Sequence, residues 1–368
     1  MRIRTIEAMP LRIGFPQTFR FGTVDRKASQ NVVVKITTDD GVVGYGEACP
    51  VPAFTAETQQ SIVELIEGPV RELVVGADPL AVRPLIRRAE RFLAHRPFTL
   101  TALDVALWDL AGKLLGAPVS TLLGGRFRDR IVVHGSVGWD APEVMAETAV
   151  AQRHLGYGTL KLYAGRDTVS GDLGRIAAVR EAVGLDVGLI VDVNGLWSAG
   201  QCLEALPRLA ELGVTLLEQP LPAWDELGQA EVVRASRIDV AADESVYTAA
   251  DVARIGRLRT ARVINLGLSK LGGLLRAREC EVVARSVGLG LTVGSVLELG
   301  IASTAALHLA AAAPELAHPS YLMGPLKYER QITAPELTVD GGEMVVPEGA
   351  GLGIEVDEEL IASLDARR

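Results

Sequence analysis

Hydrophobic and polar positions alternate through the first 48 residues, which is the pattern of β-strands with one buried face. The turn Thr38-Asp-Asp-Gly41 separates two of these runs, and an Asp-Gly pair between apolar runs predicts a hairpin. The predicted strands are Arg2–Ile6, Asn31–Thr37 and Val42–Glu47. Helices are predicted near residues 56–76, 80–94 and 99–115, the last of which ends at Gly116. This part of the chain is therefore expected to form an α+β domain.

From about residue 130 the pattern changes to short apolar runs that alternate with amphipathic helical segments. Such alternation predicts βαβ units and a parallel sheet, and eight units would close a barrel. The predicted strands lie near residues 131–137, 159–163, 187–192, 214–218, 238–243, 262–267, 289–294 and 319–323. Beyond residue 325, turns rich in Pro and Gly separate short β runs, and this tail is predicted to return to the first domain.

Three acidic residues end three consecutive predicted strands. Asp192, Glu218 and Asp243 recur at intervals of about 25 residues, and one βα unit of a barrel takes roughly 25–30 residues. Because the carboxyl ends of barrel strands converge on one face, the three carboxylates are expected to surround one point. Hard oxygen ligands with room for water or substrate suit Mg²⁺. The alternative, that each acid caps a helix or pairs with a lysine, is weaker for three acids in register.

Composition and charge narrow the class of protein without naming a reaction. The chain has 368 residues, is 48% hydrophobic and carries a formal net charge of −9, which gives no reason to expect nucleic acid or an anionic membrane as a partner. Its three cysteines are widely spaced, as in proteins of a reducing compartment. No signal-peptide pattern and no apolar run long enough to cross a bilayer is present, so a cytoplasmic location is expected.

Further polar side chains are expected at the same face of the barrel. Lys161 and Tyr163 are two residues apart on the second barrel strand and therefore point the same way. Asn265 and Lys270 come from the sixth strand, and Glu298 follows the seventh. Three of these residues have a structural alternative: Lys161 as a solvated lysine, Tyr163 as a core residue and Glu298 as a structural carboxylate.

The first domain contributes two aromatic segments, Thr18–Gly22 and Val51–Glu57, which are expected to be irregular loops suited to a lid over the barrel mouth. Phe54 lies in the second segment. Arg20 lies in the first, where it is either a bidentate partner for a substrate carboxylate or simply solvated. His134, inside the first barrel strand, is expected to be a core residue.

Short motifs along almost the whole chain resemble those of the enolase superfamily, specifically the muconate lactonizing enzyme and dipeptide epimerase branch of the mandelate racemase/muconate lactonizing enzyme family. The motifs are Gly44-Tyr-Gly-Glu47-Ala, Ala102-Leu-Asp-Val-Ala-Leu-Trp108-Asp, Leu122-Leu-Gly-Gly125, Asp192-Val-Asn194-Gly, Leu217-Glu218-Gln219-Pro220, Ala242-Asp243-Glu244-Ser245 and Pro347-x-Gly-x-Gly351-Leu-Gly353.

The resemblance implies an α/β fold: a modified (β/α)8 TIM barrel with an N-terminal α+β capping domain that the C-terminal tail completes. The corresponding boundaries are residues 1–125, 126–324 and 325–368. It also implies Mg²⁺ on Asp192, Glu218 and Asp243, abstraction of the proton α to the carboxylate of a small-molecule substrate, and a homo-oligomer.

Two positions depart from the pattern of this branch. Its members usually carry Lys-x-Lys on the second barrel strand and another lysine on the sixth, whereas this chain has Lys161-x-Tyr163 and Gly267. Lys270 matches a later lysine that is normally not catalytic. The Asp-x-Asp of dipeptide epimerases aligns with Tyr321 and Met323, which argues against dipeptide epimerisation.

A tyrosinate at position 163 would replace the missing lysine base. Ionising a phenol near pH 7 costs about 4 kcal/mol, and a lysine ammonium ~5 Å away offsets about 3 kcal/mol at an effective dielectric constant of ~20. With no side chain at Gly267, a one-base reaction is favoured, either β-elimination by an acid dehydratase or cycloisomerisation. Two alternatives stay open: a racemase or epimerase of an N-acyl or cyclic amino acid that uses Lys270, and an inactive Mg²⁺-dependent carboxylate-binding paralog.

Overall fold

The computed structural model describes residues 1–52 and 54–367. Ala53, in the second predicted lid segment, and Arg368, at the end of the predicted tail, lie outside the described residues. The N-terminal part begins with the strands β1 (Ile3–Pro10), β2 (Ile13–Phe21), β3 (Val24–Ser29), β4 (Val32–Thr38) and β5 (Val43–Ala48). An antiparallel sheet in the order β1-β4-β5 contains the predicted hairpin, with Val34 paired to Ala8 on one side and to Gly46 on the other.

The first aromatic segment is part of a β-hairpin, so the prediction of an irregular loop at Thr18–Gly22 was wrong. Strands β2 and β3 pair antiparallel, but their register shifts between Gly14 and Phe19. Residues 15–18 form a bulge there, and Pro16 lies within it. A bulge and a proline both interrupt the alternation of a strand, which is why the sequence pattern did not reveal it.

Helices cover one side of the β1-β4-β5 sheet. They are α1 (Gln59–Leu65), α2 (Arg71–Val74), α3 (Val82–Ala89), α4 (Pro97–Leu115) and α5 (Val119–Leu122), with a π-helical turn at Ile66–Val70. Helix α4 is buried along most of its length and ends at Gly116, as predicted. The backbone of Gly116 is in the left-handed conformation. The buried Glu57 carboxylate caps the N-terminus of this helix, because it accepts hydrogen bonds from the Phe98 and Thr99 amides at 2.9 and 2.8 Å.

The second part is a barrel of alternating strands and helices. After the short strand β6 (Arg130–Val132), its strands are β7 (Gly135–Val137), β8 (Thr159–Tyr163), β9 (Gly188–Asp192), β10 (Val214–Glu218), β11 (Asp239–Ala242), β12 (Val263–Gly267) and β13 (Gly290–Gly294). Its helices are α6 (Pro142–His154), α7 (Val169–Val183), α8 (Ala199–Glu211), α9 (Glu226–Ala235), α10 (Ala249–Leu258), α11 (Leu268–Leu271), α12 (Leu274–Ser286) and α13 (Gly300–Ala312). Strands β7 to β13 form one parallel sheet in sequence order.

An extended segment at the predicted eighth strand joins the two edges of this sheet. The amide of Tyr321 donates to Val293 O at 2.8 Å, next to β13. On the other side, Ser320 N donates to Val132 O at 3.0 Å and His134 N donates to Ser320 O at 3.1 Å. Backbone hydrogen bonds therefore continue around the ring, which is the topology of a (β/α)8 barrel.

The C-terminal tail contains a 3₁₀ turn at Gly324–Lys327, the strands β14 (Thr333–Ala334), β15 (Glu343–Val345) and β16 (Glu355–Val356), and α14 (Glu358–Ser363). Val119 N donates to Gly351 O at 2.8 Å, and Lys35 Nζ lies 2.7 Å from Glu358 Oε1. The tail thus contacts the N-terminal α+β part. Among the described residues, none of the helices is both long and apolar enough to cross a membrane.

Candidate active site

The carboxyl ends of the barrel strands surround a small cavity of about 30 Å³ beneath the N-terminal part. Asp192 ends β9, Glu218 ends β10 and Asp243 directly follows β11. Asp192 and Glu218 are register partners on adjacent parallel strands. All three side chains belong to residues that are 7% exposed or less. Isolated carboxylates at such depth are costly, so their charges need partners.

Two lysine ammonium groups lie among these carboxylates. Lys161 Nζ, from β8, is 2.6 Å from Asp192 Oδ2 and 2.9 Å from Glu218 Oε1, and Lys270 Nζ is 2.9 Å from Asp243 Oδ1. Burial works to lower the pKa of Lys161, but Asp192 and Glu218 outweigh it and hold that pKa well above its ordinary value. Burial also raises the pKa of Asp192 to about 7, an effect that Lys161 opposes and Glu218 increases.

The oxygen atoms of the side chains around this cavity suit a hard divalent cation. Within residues 1–52 and 54–367, no three His, Cys, Asp or Glu side chains form a ready-made metal site, and the lysines take the carboxylate oxygens instead. Two amide oxygens, Asn194 Oδ1 and Asn265 Oδ1, are buried without a hydrogen-bond donor, and both residues line the cavity. Carboxylate and amide oxygens are the ligands that Mg²⁺ and Ca²⁺ prefer, and an unpaired buried oxygen calls for a cation or a donor.

Gly267 provides space for Lys270. It ends β12 with φ −73°, a conformation that any residue adopts. A Cβ at this position would lie 2.8 Å from Lys270 Cε and 3.2 Å from Lys270 Cγ. The Lys270 stem therefore fills the volume that a side chain at position 267 would need.

The Lys270 ammonium is fixed in this place. It lies 2.9 Å from Asp243 Oδ1, and it donates to Asp243 O at 2.6 Å and to Val246 O at 3.0 Å. A lysine ammonium has three protons, so these acceptors use all of them. Lys270 is a cation held at the cavity wall.

Tyr163 lies beside Lys161 on the same face of β8 and lines the cavity. The Lys161 ammonium is 5.4 Å from the Tyr163 ring centroid and 5.6 Å from the Tyr321 centroid. Burial raises the pKa of Tyr163 well above its ordinary value, and Lys161 offsets only part of this because two carboxylates already neutralise its charge. This direction favours the neutral phenol over the tyrosinate, so the role of Tyr163 as base stays a prediction.

Aromatic side chains close the cavity from the N-terminal part. Phe19 and Phe21 of β2 lie 5.7 and 6.0 Å from the Tyr163 ring centroid, and Phe54 lines the same space. At the β2–β3 turn, Gly22 has φ 48°, and a Cβ there would lie 3.1 Å from the Asn194 side chain. Glycine thus lets the hairpin approach the loop after β9. A space of about 30 Å³ holds about two waters, so a substrate needs these aromatic rings to move.

Arg20, predicted to bind substrate, does not line this cavity. Its Nη1 donates to Asp140 Oδ2 at 2.6 Å, and its Nε lies 3.7 Å from Asp25 Oδ2. These ion pairs already engage the guanidinium, so the role of Arg20 as a substrate ligand stays a prediction.

Glu298, the other predicted ligand of substrate from a βα loop, is also directed elsewhere. Its carboxylate accepts hydrogen bonds from Ser269 Oγ at 2.6 Å and from Val296 N at 2.9 Å. It is buried and anchors the loop after β13, so the structural alternative applies. Asn265 does line the cavity, where its Nδ2 donates to Glu218 Oε1 at 2.8 Å.

Three residues at this site were not among the predicted site residues. Asn194 Nδ2 donates to Glu244 Oε1 at 3.0 Å, and burial raises the pKa of Glu244 well above its ordinary value. In the sequence, Asn194 lies two residues after Asp192 and Glu244 directly follows Asp243, within motifs that resemble the enolase superfamily. This proximity to predicted metal ligands could have identified both residues. Tyr321 lines the cavity and stacks on His134 with 5.1 Å between ring centroids. His134 is buried, as expected of a core residue.

Two protein-family models and a curated relative match this chain. The family model described as "Mandelate racemase / muconate lactonizing enzyme, N-terminal domain" matches residues 3–124, and the model described as "Enolase C-terminal domain-like" matches residues 144–360. Muconate cycloisomerase 1 of Rhodococcus opacus is 32% identical over 371 residues, which cover 98% of this chain and 98% of that protein.

Two solved structures show the same fold over almost the whole chain. The N-succinyl Arg/Lys racemase from Bacillus cereus matches with a TM-score of 0.95 at 30% identity, covering 100% of this chain and 98% of that one. The dipeptide epimerase from Enterococcus faecalis, complexed with Mg and the dipeptide L-Leu-L-Tyr, matches with a TM-score of 0.92 at 30% identity, covering 96% and 100%. The chain is therefore an enzyme of the mandelate racemase/muconate lactonizing enzyme family, within the enolase superfamily.

Proposed function

We propose that this enzyme is Mg²⁺-dependent, removes the proton α to a carboxylate of a small-molecule substrate, and acts from one face in a β-elimination or cycloisomerisation. One observation carries the one-face assignment. Lys161 and Tyr163 share the face of β8 that lines the cavity, whereas Gly267 has no side chain and the Lys270 ammonium is held by three acceptors. Family membership supports the general chemistry.

Asp192, Glu218 and Asp243 are the residues that would hold the Mg²⁺. When bound there, the ion supplies Lewis-acid stabilisation of the negative charge that develops on the substrate carboxylate. Lys161 shares two of these carboxylates at 2.6 and 2.9 Å. It is therefore free to exchange a proton only when another cation takes up their charge, which makes the reaction cation-dependent.

The two residues of β8 divide the proton transfers in an elimination. Once Lys161 has released one ammonium proton to solvent, its neutral Nζ accepts the α-proton as the electrons of the C–H bond move toward the carboxylate. Tyr163, a neutral phenol, donates its proton to the β-hydroxyl as the carbon–oxygen bond breaks, which releases water and an unsaturated acid. The proton on Lys161 then returns to the Tyr163 oxygen, so both residues are restored. In a cycloisomerisation the order is reversed: a second carboxylate of the substrate adds to its conjugated double bond, and the Lys161 ammonium donates a proton to the α-carbon of the resulting enolate, so no group leaves.

A racemase or epimerase of an N-acyl or cyclic amino acid is the second candidate, and one observation favours it. The Lys270 stem occupies the volume next to Gly267, so a second amine is present at the cavity wall on the sixth barrel strand. To serve as the second base, Lys270 has to give up its contacts with Asp243 and Val246. Because these contacts hold the Lys270 ammonium in place, the racemase is the second candidate.

Incubation with a panel of acids in D₂O and Mg²⁺ separates the candidates. The panel contains β-hydroxy acids, muconates and both enantiomers of N-acyl and cyclic amino acids, and products are followed by NMR. One-face chemistry predicts an unsaturated or cyclised product and deuterium entry from one enantiomer. Deuterium entry from both enantiomers with loss of optical activity supports the racemase. Mg²⁺-dependent binding without turnover of any acid would identify an inactive paralog and contradict both.

A further inference from the structure

The loop after β13, residues 295–299, forms one wall of the cavity at the barrel mouth, which Val296 and Leu297 line. Leu297 has φ 68°, in the left-handed region that a leucine rarely adopts. Such a backbone persists where surrounding contacts hold it. Here the Leu297 carbonyl oxygen accepts hydrogen bonds from the Tyr328 hydroxyl at 2.6 Å and from Cys49 Sγ at 3.4 Å. The cavity wall is thus held by the tail and by the segment after β5, both outside the barrel.

Arg26 of β3 is a buried cation that binds the same loop. Its Nη1 donates to Val296 O at 2.7 Å, its Nη2 donates to Ser29 Oγ at 2.7 Å, and its guanidinium carbon is 5.5 Å from the Phe15 ring centroid. In the described part of the chain, no carboxylate forms an ion pair with Arg26, and Glu298 acts on it at longer range. A buried guanidinium without a paired carboxylate is costly. The fold carries this cost at the point where the β2–β3 hairpin meets the cavity wall.

Arg26 also connects this wall to the aromatic ring that closes the cavity. In the β2–β3 hairpin, Arg26 is the register partner of Phe19, and directly opposite residues of an antiparallel pair lie on the same face. Phe19 closes the cavity beside Tyr163, and substrate entry requires the Phe19 ring to move. A movement of the hairpin as a unit would therefore also move Arg26 and its contact with Val296. The hairpin and the cavity wall are connected through this side chain.

We propose that Arg26 is a positioning residue, which holds Val296 and Leu297 as a rigid cavity wall and so limits the acids that the cavity admits. Tyr328 acts with it through the Leu297 carbonyl. Neither Arg26 nor Tyr328 lines the cavity, so neither takes part in proton transfer. This inference rests on the proposed function, since it takes the substrate to be an acid that binds in this cavity.

Amide hydrogen exchange followed by mass spectrometry measures the rigidity of the wall without any substrate. The variants are Arg26→Gln, which removes the charge, and Tyr328→Phe, which removes one hydroxyl and keeps the ring that stacks on Phe15 at 4.8 Å. Lys27→Gln is the matched control, because Lys27 is the exposed neighbour of Arg26 on β3.

Both variants should speed the exchange of a peptide over residues 294–299 about 10-fold, because each removes a hydrogen bond that holds this loop. Exchange in β10 should not change, and Lys27→Gln should behave as the wild type. Wild-type exchange of the loop peptide in Arg26→Gln would overturn the inference. If Arg26→Gln does not fold, the same result in Tyr328→Phe would overturn it.

Two β-hydroxy acids that differ in bulk measure the effect on selectivity. The binding of β-hydroxybutanoate and β-hydroxy-β-phenylpropanoate in the presence of Mg²⁺ is followed by calorimetry, and their elimination by NMR. The wild type should favour the smaller acid, because the wall is fixed around a space of about 30 Å³.

In Arg26→Gln and Tyr328→Phe this preference in affinity should fall about 10-fold, whereas Lys27→Gln should keep it. The kcat for the smaller acid should stay within about 3-fold of the wild type, since Lys161 and Tyr163 are unchanged. An equal loss of affinity for both acids, or a fall in kcat with the preference unchanged, would show a merely structural role and overturn the inference.

The readouts also separate this inference from the proposed function. Faster exchange of the loop and a reduced preference in binding in Arg26→Gln, without elimination of either acid by the wild type, would support the role of Arg26 and contradict the proposed elimination. Elimination by the wild type, with loop exchange and preference unchanged in Arg26→Gln, would support the chemistry and overturn the role of Arg26.

Discussion

At the scale of single residues, Gly267 and Lys270 show how one absent side chain changes a site. The backbone of Gly267 is ordinary, with φ −73°, so the glycine is explained by packing. The Lys270 stem takes the vacated space, and its ammonium compensates the Asp243 carboxylate at 2.9 Å. The two positions therefore act as a pair, in which the small residue permits the buried charge.

Gly267→Ala should destabilise the protein by about 1–3 kcal/mol, because the new methyl group would lie 2.8 Å from an anchored Lys270 stem. Urea unfolding followed by circular dichroism measures this change. Gly158→Ala is the matched control, since nothing lies within 4 Å of a Cβ there, and should be close to neutral. In a Lys270→Ala background the cost of Gly267→Ala should shrink, and an undiminished cost there would show that Lys270 is not its cause.

Tyr163→Phe should separate elimination from proton exchange. As a neutral phenol, Tyr163 is assigned the role of acid, so its loss should reduce product formation about 100-fold or more while deuterium still enters the α-position. The measurement follows both signals in one NMR experiment in D₂O. Equal loss of the two signals would return Tyr163 to the role of base.

At the scale of secondary-structure elements, His308 joins three segments of the fold. From α13 it accepts a hydrogen bond from Ser120 N on α5 at 3.3 Å and contacts Leu352 O of the tail at 3.1 Å. Burial lowers the pKa of His308 to about 4. The unfolded chain binds this proton near pH 6.5, so the stability that the neutral ring contributes is complete above that pH and is lost as the pH falls toward 4.

His308→Gln should therefore flatten the acid side of the stability curve. Between pH 6.5 and 4 the wild type should lose on the order of 3 kcal/mol more than this variant, as measured by urea unfolding at several pH values. His154→Gln, at an exposed position of α6, should follow the wild type. Parallel curves for wild type and His308→Gln would show that the ring titrates normally in the folded protein.

Elements with a regular pattern could be predicted from the sequence. The predicted strands at 159–163 and 214–218 coincide with β8 and β10, because their apolar runs are buried on both faces. Hairpin β2–β3 could not be predicted, since its bulge and Pro16 break the alternation of apolar and polar residues.

At the site, the spacing of the acidic residues along the chain predicted that they lie at strand ends. The pairing of Arg20 with Asp140, and of Lys161 with two acids, depends on side-chain contacts between distant segments, which no local pattern records.

At the scale of the whole molecule, cation binding should stabilise the fold by mass action. Mg²⁺ should raise the Tm of the wild type in a saturable way, because it replaces lysines among buried carboxylates. Asp192→Asn should abolish most of this increase, whereas Asp186→Asn, at an exposed position before β9, should keep it. Differential scanning fluorimetry is the measurement, and the same Mg²⁺ response in Asp192→Asn would place the cation elsewhere.

The barrel and the N-terminal part meet at the cavity where Lys161 lies among the acidic side chains. The central claim about the chemistry is that Lys161 is the base. The most direct measurement follows the α-proton signal of a turned-over acid by NMR in D₂O with Mg²⁺, for wild type and Lys161→Met. The wild type should exchange the α-proton, and Lys161→Met should slow this exchange at least about 100-fold while its Tm still rises with Mg²⁺. Exchange at the wild-type rate in Lys161→Met would contradict the assignment of Lys161 as the base.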